Sequence, residues 1–139
     1  MASPKGFILY KIYYGEHLAY LGRTKQPLQA RIRGHMFQKP MHRNIDIHNV
    51  SKIEYTMCKS TADMYVYEIY YINLLKPPLN RDDKADDDLV DIHLPELEWK
   101  EFVPSKWEEW KKELAQGDLK SWRKRRNDRL VREWDLFEE

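Results

Sequence analysis

Residues 20–35 read YLGRTKQPLQARIRGH. A strand-like ending, Tyr20-Leu21-Gly22, gives way within a few residues to a helical pattern in which Leu28, Ile32 and Met36 recur on one face. Pro27 suits the first turn of that helix, and Thr24 just upstream offers a capping hydroxyl. Arg31 and His35 stand four apart, so they share a helix face. That face lies beside the Leu28/Ile32 stripe, because each step turns the helix by about 100°. A packing stripe and a polar stripe therefore leave the same strand end. The planar fork of Arg31 could clamp a phosphate there, and His35 could donate to or orient a phosphate oxygen. A solvated helix face carries the same pattern, and both readings stand at this point.

Working outward, residues 7–14, FILYKIYY, are rich in aromatic and β-branched types, Gly15-Glu16 makes a turn, and HLAYLG follows over 17–22. These read as a β-hairpin. Tyr10 and Tyr20 fall on its adjacent strands, either as cross-strand packing or as phenols able to move the proton of a metal-bound water. Pro40 ends the first helix, and residues 41–51 are loop-like. KIEYTMCK, 52–59, is a third strand, and Ser60 with Asp63 has the spacing of a capping box. The helix that follows, MYVYEIYYINLL at 64–75, is apolar almost all round, which predicts that it is largely buried. Pro77-Pro78 stops it. Glu68 is the sole charged residue between Met64 and Leu75. Burying a lone carboxylate is costly unless it is paired, metal-bound or lining a cleft. Glu68 lies either on one wet stripe of the helix or in a polar site, where its oxygens suit a hard divalent cation.

The whole chain bounds these readings. Its single cysteine, Cys58, excludes a disulfide framework and a cysteine-based zinc site. No apolar run reaches membrane-span length, so no membrane partner is expected. The N-terminal stretch has no signal-peptide core, which points to an intracellular, cytoplasmic setting. A net charge of +1 conceals an asymmetry. Residues 1–81 hold twelve Lys/Arg against five Asp/Glu, a balance of +7, whereas 82–91, DDKADDDLVD, holds six Asp and one Lys. A basic front half suits a polyanion such as nucleic acid. The division expected is a domain over 1–81, an acidic linker or loop over 82–95, and a Trp-rich, charged helical extension over 96–139. In that extension Trp107, Trp110 and Leu114 share a face and are expected to pack it onto the domain. A second helix would carry Leu119, Trp122, Leu130, Val131 and Trp134. The run 120–132, KSWRKRRNDRLVR, could grip DNA backbone or form a solvated face.

Taken together, these residues resemble the GIY-YIG endonuclease family. Tyr20-Leu21-Gly22 matches the second half of the family name. Thr24, Leu28, Arg31 and His35 follow the downstream rhythm, Glu68 matches the glutamate in an apolar helix, and Pro78-Leu79-Asn80 matches the closing asparagine motif. The resemblance covers residues 7–80, and its five elements arrive in order. The first half of the name is altered. Its best counterpart is Ile8-Leu9-Tyr10, where the glycine has become Ile8. A register on Lys11-Ile12-Tyr13 would leave only seven residues to Tyr20, too few for the hairpin.

The resemblance implies an α/β (α+β) domain with a small three-stranded, mainly antiparallel sheet flanked by helices. It implies a magnesium-dependent DNA endonuclease, with manganese able to substitute. Glu68 would hold the metal, and Tyr10 or Tyr20 would orient or deprotonate the attacking water. Arg31 would stabilise charge on the phosphate, His35 would touch phosphate or relay a proton, and Asn80 would brace the site. Arg23, Lys25 and Arg33 would contact the DNA backbone. A double-strand cut would suit a homodimer, and the C-terminal helices would suit a protein partner. The rival readings are a binding module on the same fold with catalysis lost, and an interaction protein on a small scaffold.

Overall fold

The computed structural model describes residues 3–37 and 45–115. Strand β1, Phe7–Tyr14, pairs antiparallel with β2, His17–Thr24, in register Tyr10↔Gly22 and Ile12↔Tyr20. The turn between them uses Gly15 at φ 61°, a left-handed conformation that glycine adopts without a steric penalty. Helix α1, Leu28–Phe37, follows, and strand β3, Val50–Cys58, then pairs antiparallel on the far side of β1. Helix α2, Thr61–Leu75, comes next, then a long coil, a two-residue strand β4, Lys100–Glu101, and helix α3, Trp107–Leu114.

The fold is α+β, with a four-stranded antiparallel sheet in the order β2-β1-β3-β4 and three helices among the described residues. This corrects the expected strand count of three. The fourth strand comes from the extension, where Glu101 and Lys100 sit opposite Glu54 and Tyr55 on β3. The backbone N–H of Phe102 donates to Ile53 O at 2.8 Å and continues the ladder. An exposed Lys-Glu pair has no strand signature of its own, so only the free edge of β3 determines this pairing.

Helices cover both faces of the sheet, which is why FILYKIYY is apolar on both sides. Ile8, Tyr10, Ile12 and Tyr14 point into the core shared with Leu28, Ile32 and Met36 of α1 and Trp110 and Leu114 of α3. Phe37 and Trp110 meet edge-on at 6.3 Å. Leu9 and Leu21 point the other way, toward Met64, Tyr71 and Ile72 of α2. Burying a Leu- or Ile-sized side chain contributes about 1.5–3 kcal/mol, so these two layers hold the hairpin between the helices.

Ser60 caps α2 as its spacing predicts, its hydroxyl accepting from Asp63 N at 3.0 Å. Lys76, in the left-handed region at φ 52°, ends the helix ahead of Pro77. Helix α2, expected to be largely buried, is less so than that. Tyr65, Val66 and Ile69 form an exposed stripe, 44–56% accessible. The sheet covers one side of the helix, and Leu89, Leu94, Leu97 and Trp99 of the following coil cover part of the rest. That coil includes the acidic run. Lys76 Nζ donates to Asp87 O at 2.6 Å, and Tyr67 Oη donates to Pro95 O at 3.0 Å. The acidic run is therefore held along α2 by its backbone carbonyls, which leaves Asp86, Asp87 and Asp88 exposed. The expected second helix of the extension, its basic run and the stop at Pro40 lie outside the described residues. No helix among the described residues is long and apolar enough to cross a membrane.

Candidate active site

The strand-to-helix junction does gather the predicted residues. Tyr10, fully buried, projects from the middle of β1, and His35, 7% exposed, reaches it from the last turn of α1. The Tyr10 hydroxyl and His35 Nε2 lie 2.6 Å apart. Arg31, one turn earlier on α1, donates from Nε to Tyr10 Oη at 3.2 Å. The phenol oxygen thus accepts from the guanidinium while it is hydrogen-bonded to the imidazole, the histidine tautomer setting the direction of that second bond. The rings of Tyr20 and His35 meet edge-on at 5.0 Å, and Arg31 interacts with both phenols. Burial, with Tyr20 nearby, raises the Tyr10 phenol well above its ordinary value although Arg31 opposes the shift. Tyr10 therefore stays protonated throughout the neutral range.

Gly22 makes this cluster possible. A Cβ there would lie 2.5 Å from Tyr10 Oη and 2.8 Å from Tyr20 Cε2. The antiparallel register puts Tyr10 opposite this residue, so the phenol lies across bare backbone. Glycine is needed for the close approach rather than for an unusual φ.

Asn80 clamps the strand. Leu21 N donates to its Oδ1 at 2.9 Å, and its Nδ2 donates to Leu21 O at 2.8 Å. Leu79 N donates to Ala19 O at 3.0 Å. The 79–80 segment therefore closes the edge of β2 without being a strand, and it satisfies buried backbone groups that would otherwise be unpaired.

A cleft of about 530 Å³ opens beside this junction. Tyr20, Arg31 and Asn80 line one side, while Glu68, Tyr65 and Met64 of α2 line the other. Glu68, 15% exposed, does not lie on a wet outer stripe. Its Oε1 accepts from Arg23 Nε at 3.0 Å. The Arg23 guanidinium also stacks on the Tyr65 ring at 4.1 Å. Tyr10 and His35 lie behind the lining, which separates the two tyrosines that sequence alone leaves equivalent. Of the three basic residues expected at DNA, Arg23 and Lys25 line the cleft. Arg33 does not. It sits on the exposed side of α1 with its guanidinium over Phe37 at 4.5 Å, because it is two residues from Arg31 and so about 200° round the helix.

The chain matches no family model, no curated protein and no solved structure. Among the described residues no trio of His, Cys, Asp and Glu side chains converges to hold a metal by protein ligands alone. Residues not singled out in the sequence also line the cleft, notably Tyr65, Arg81, Asp82 and Asp83. Two signals were available for them: Tyr65 is three residues before Glu68 on one helix face, and Arg81 directly follows Asn80.

Proposed function

We propose that this chain is a divalent-metal-dependent DNA endonuclease of the GIY-YIG type, hydrolysing phosphodiester bonds in the cleft between the hairpin and α2. The observation that carries this reading is the pairing of Tyr20 and Arg31 on one wall with the Glu68 carboxylate on the other. A phosphate entering there meets a guanidinium, a phenol and a carboxylate at once. Magnesium retains several waters and is held by one or two carboxylates plus substrate phosphate oxygens. Glu68, in a cleft that Asp82 and Asp83 also line and that is open to a phosphate strand, fits that sparse mode, and manganese takes the same oxygen donors. The ion would neutralise charge on the scissile phosphate and leaving oxygen.

The chain's own residues divide the remaining work. Arg31 is placed to stabilise charge growing on the phosphate oxygens, from a partly buried site where such contacts are strong. Tyr20 is the phenol that reaches the cleft, so it orients the attacking water and takes part in moving its proton. Tyr10 and His35 are positioning residues. Tyr10 holds Arg31 at Nε, His35 holds Tyr10, and together they fix the guanidinium before substrate arrives. Asn80 keeps the β2 strand end, and with it Tyr20, in place. Lys25 and Arg23 meet the flanking backbone by charge, without reading sequence.

The test is cleavage of supercoiled plasmid and branched DNA with magnesium, manganese or chelator, for the native chain and Glu68→Gln. The expected outcome is metal-dependent cutting that Glu68→Gln lowers by at least about 100-fold. A folded chain that binds DNA and cuts none of these substrates would instead be a binding module on this fold.

A further inference from the structure

Arg23 combines two features. It is ion-paired to the carboxylate read here as the metal-holding group, with Nε to Oε1 at 3.0 Å. It is also the more exposed partner of that pair. Its side chain is 43% exposed against 15% for Glu68, and its guanidinium rests on Tyr65, itself 44% exposed. Arg31, by contrast, is tied to the fully buried Tyr10. Arg23 can therefore leave without disturbing the core, and Arg31 cannot.

A guanidinium N–H and a hard cation compete for the lone pairs of one carboxylate, and their two positive charges repel at that distance. We propose that Arg23 is a displaceable latch on Glu68. It occupies the carboxylate in the metal-free protein, gives it up to a divalent cation, and is then free to contact the phosphate backbone of a strand in the same cleft. The proposal rests on Glu68 being the metal-holding group. It deepens that reading by making metal and DNA binding mutually dependent. A phosphate that draws Arg23 away frees Glu68 for metal, and a metal that takes Glu68 frees Arg23 for phosphate. Linkage requires each effect to equal the other. The latch then keeps the site weakly loaded until substrate is present.

The consequence is counterintuitive for a residue expected to help binding. Removing Arg23 should tighten metal binding in the absence of DNA. The experiment is a manganese titration of the whole chain, free ion read by electron paramagnetic resonance, on the native protein, Arg23→Gln, Lys25→Gln and Glu68→Gln, with folding checked by circular dichroism. Lys25→Gln removes the same unit of charge from the same cleft, at a residue whose Nζ lies over the Phe7 ring at 5.8 Å. The expected result is a manganese affinity raised roughly 5- to 20-fold by Arg23→Gln. Lys25→Gln should change it by less than about twofold, since exposed charges at a distance are screened. Glu68→Gln should abolish the site. Adding a non-cleavable phosphorothioate duplex should raise the native affinity more than that of Arg23→Gln. An Arg23→Gln affinity equal to or below that of Lys25→Gln would overturn the latch while leaving Glu68 as the ligand. Native protein and Glu68→Gln binding manganese alike would overturn both the ligand assignment and the latch, so the two failures are distinguishable.

Discussion

Behind one wall of the cleft, Tyr10 and His35 are buried against each other at 2.6 Å, and Gly22 leaves the room that the Tyr10 hydroxyl needs. On the open side, Arg23 of β2 and Glu68 of α2 meet at 3.0 Å with the arginine nearly half exposed. Both are polar pairs, yet they are held by different physics. The first is excluded from water, so its hydrogen bonds are strong, its partners are packed in place, and an unpaired atom would be costly. The second is screened by solvent, and such pairs contribute between zero and about 1 kcal/mol. The buried wall is suited to holding a geometry, and the open wall to exchanging a partner.

Substitutions on the buried wall should therefore move stability, and those on the open wall should move function alone. The largest effect is expected from Asn80→Ala. It leaves the buried N–H and C=O of Leu21 without partners and should cost roughly 3 kcal/mol in urea unfolding. Gly22→Ala should follow at about 2 kcal/mol, since its methyl would overlap the Tyr10 hydroxyl. A crystal structure or ring-current shifts should show the Tyr10 ring displaced. Full stability in either variant would show that the buried wall is softer than its packing implies.

Tyr10→Phe keeps the ring and removes the oxygen between Arg31 and His35, with an expected loss of about 1 kcal/mol and a cleavage rate lowered about tenfold through a misplaced Arg31. It also has a pH signature. Burial raises the folded-state value of Tyr10, so the unfolded chain loses that proton first, near pH 10. The stability this group contributes is present below that pH and declines as pH rises further. Tyr10→Phe should reduce the decline in an alkaline unfolding series. The smallest stability effects belong to the open wall. Arg23→Gln and Glu68→Gln should each change unfolding free energy by less than about 0.5 kcal/mol, while Glu68→Gln removes cleavage. A loss as large as that of Asn80→Ala would erase the contrast between the walls.

Much of the fold was legible locally. The hairpin turns at Gly15, Leu28, Ile32 and Met36 are all buried, and Ser60 caps α2 through Asp63 N. Each of these follows from backbone preference or from a repeat along one element. The start of α1 was less legible. Thr24 does use its hydroxyl, accepting from Gln26 N at 2.9 Å. The first helical N–H groups, however, are satisfied from the N-terminal segment, with Leu28 N donating to Pro4 O at 2.8 Å and Gln29 N to Ser3 Oγ at 2.8 Å. Some twenty-five residues separate donor and acceptor, so no local rule could find the pairing. Strand β4 and the bare outer stripe of α2 escaped for the same reason.

The candidate site divides along the same line. Sequence alone determined which residues could take part. Arg31 and His35 share a face because a helix repeats every 3.6 residues, and a lone Glu68 in an apolar helix must find a polar environment. It could not determine which tyrosine meets the cleft, because Tyr10 and Tyr20 are the same chemistry on neighbouring strands. The tertiary structure decided that through the register, which sets Tyr10 across from Gly22 and turns it inward behind Tyr20. It also decided that Glu68 faces Arg23. Local rules act over one turn or one strand, whereas the partner of a charge depends on which elements the core brings together.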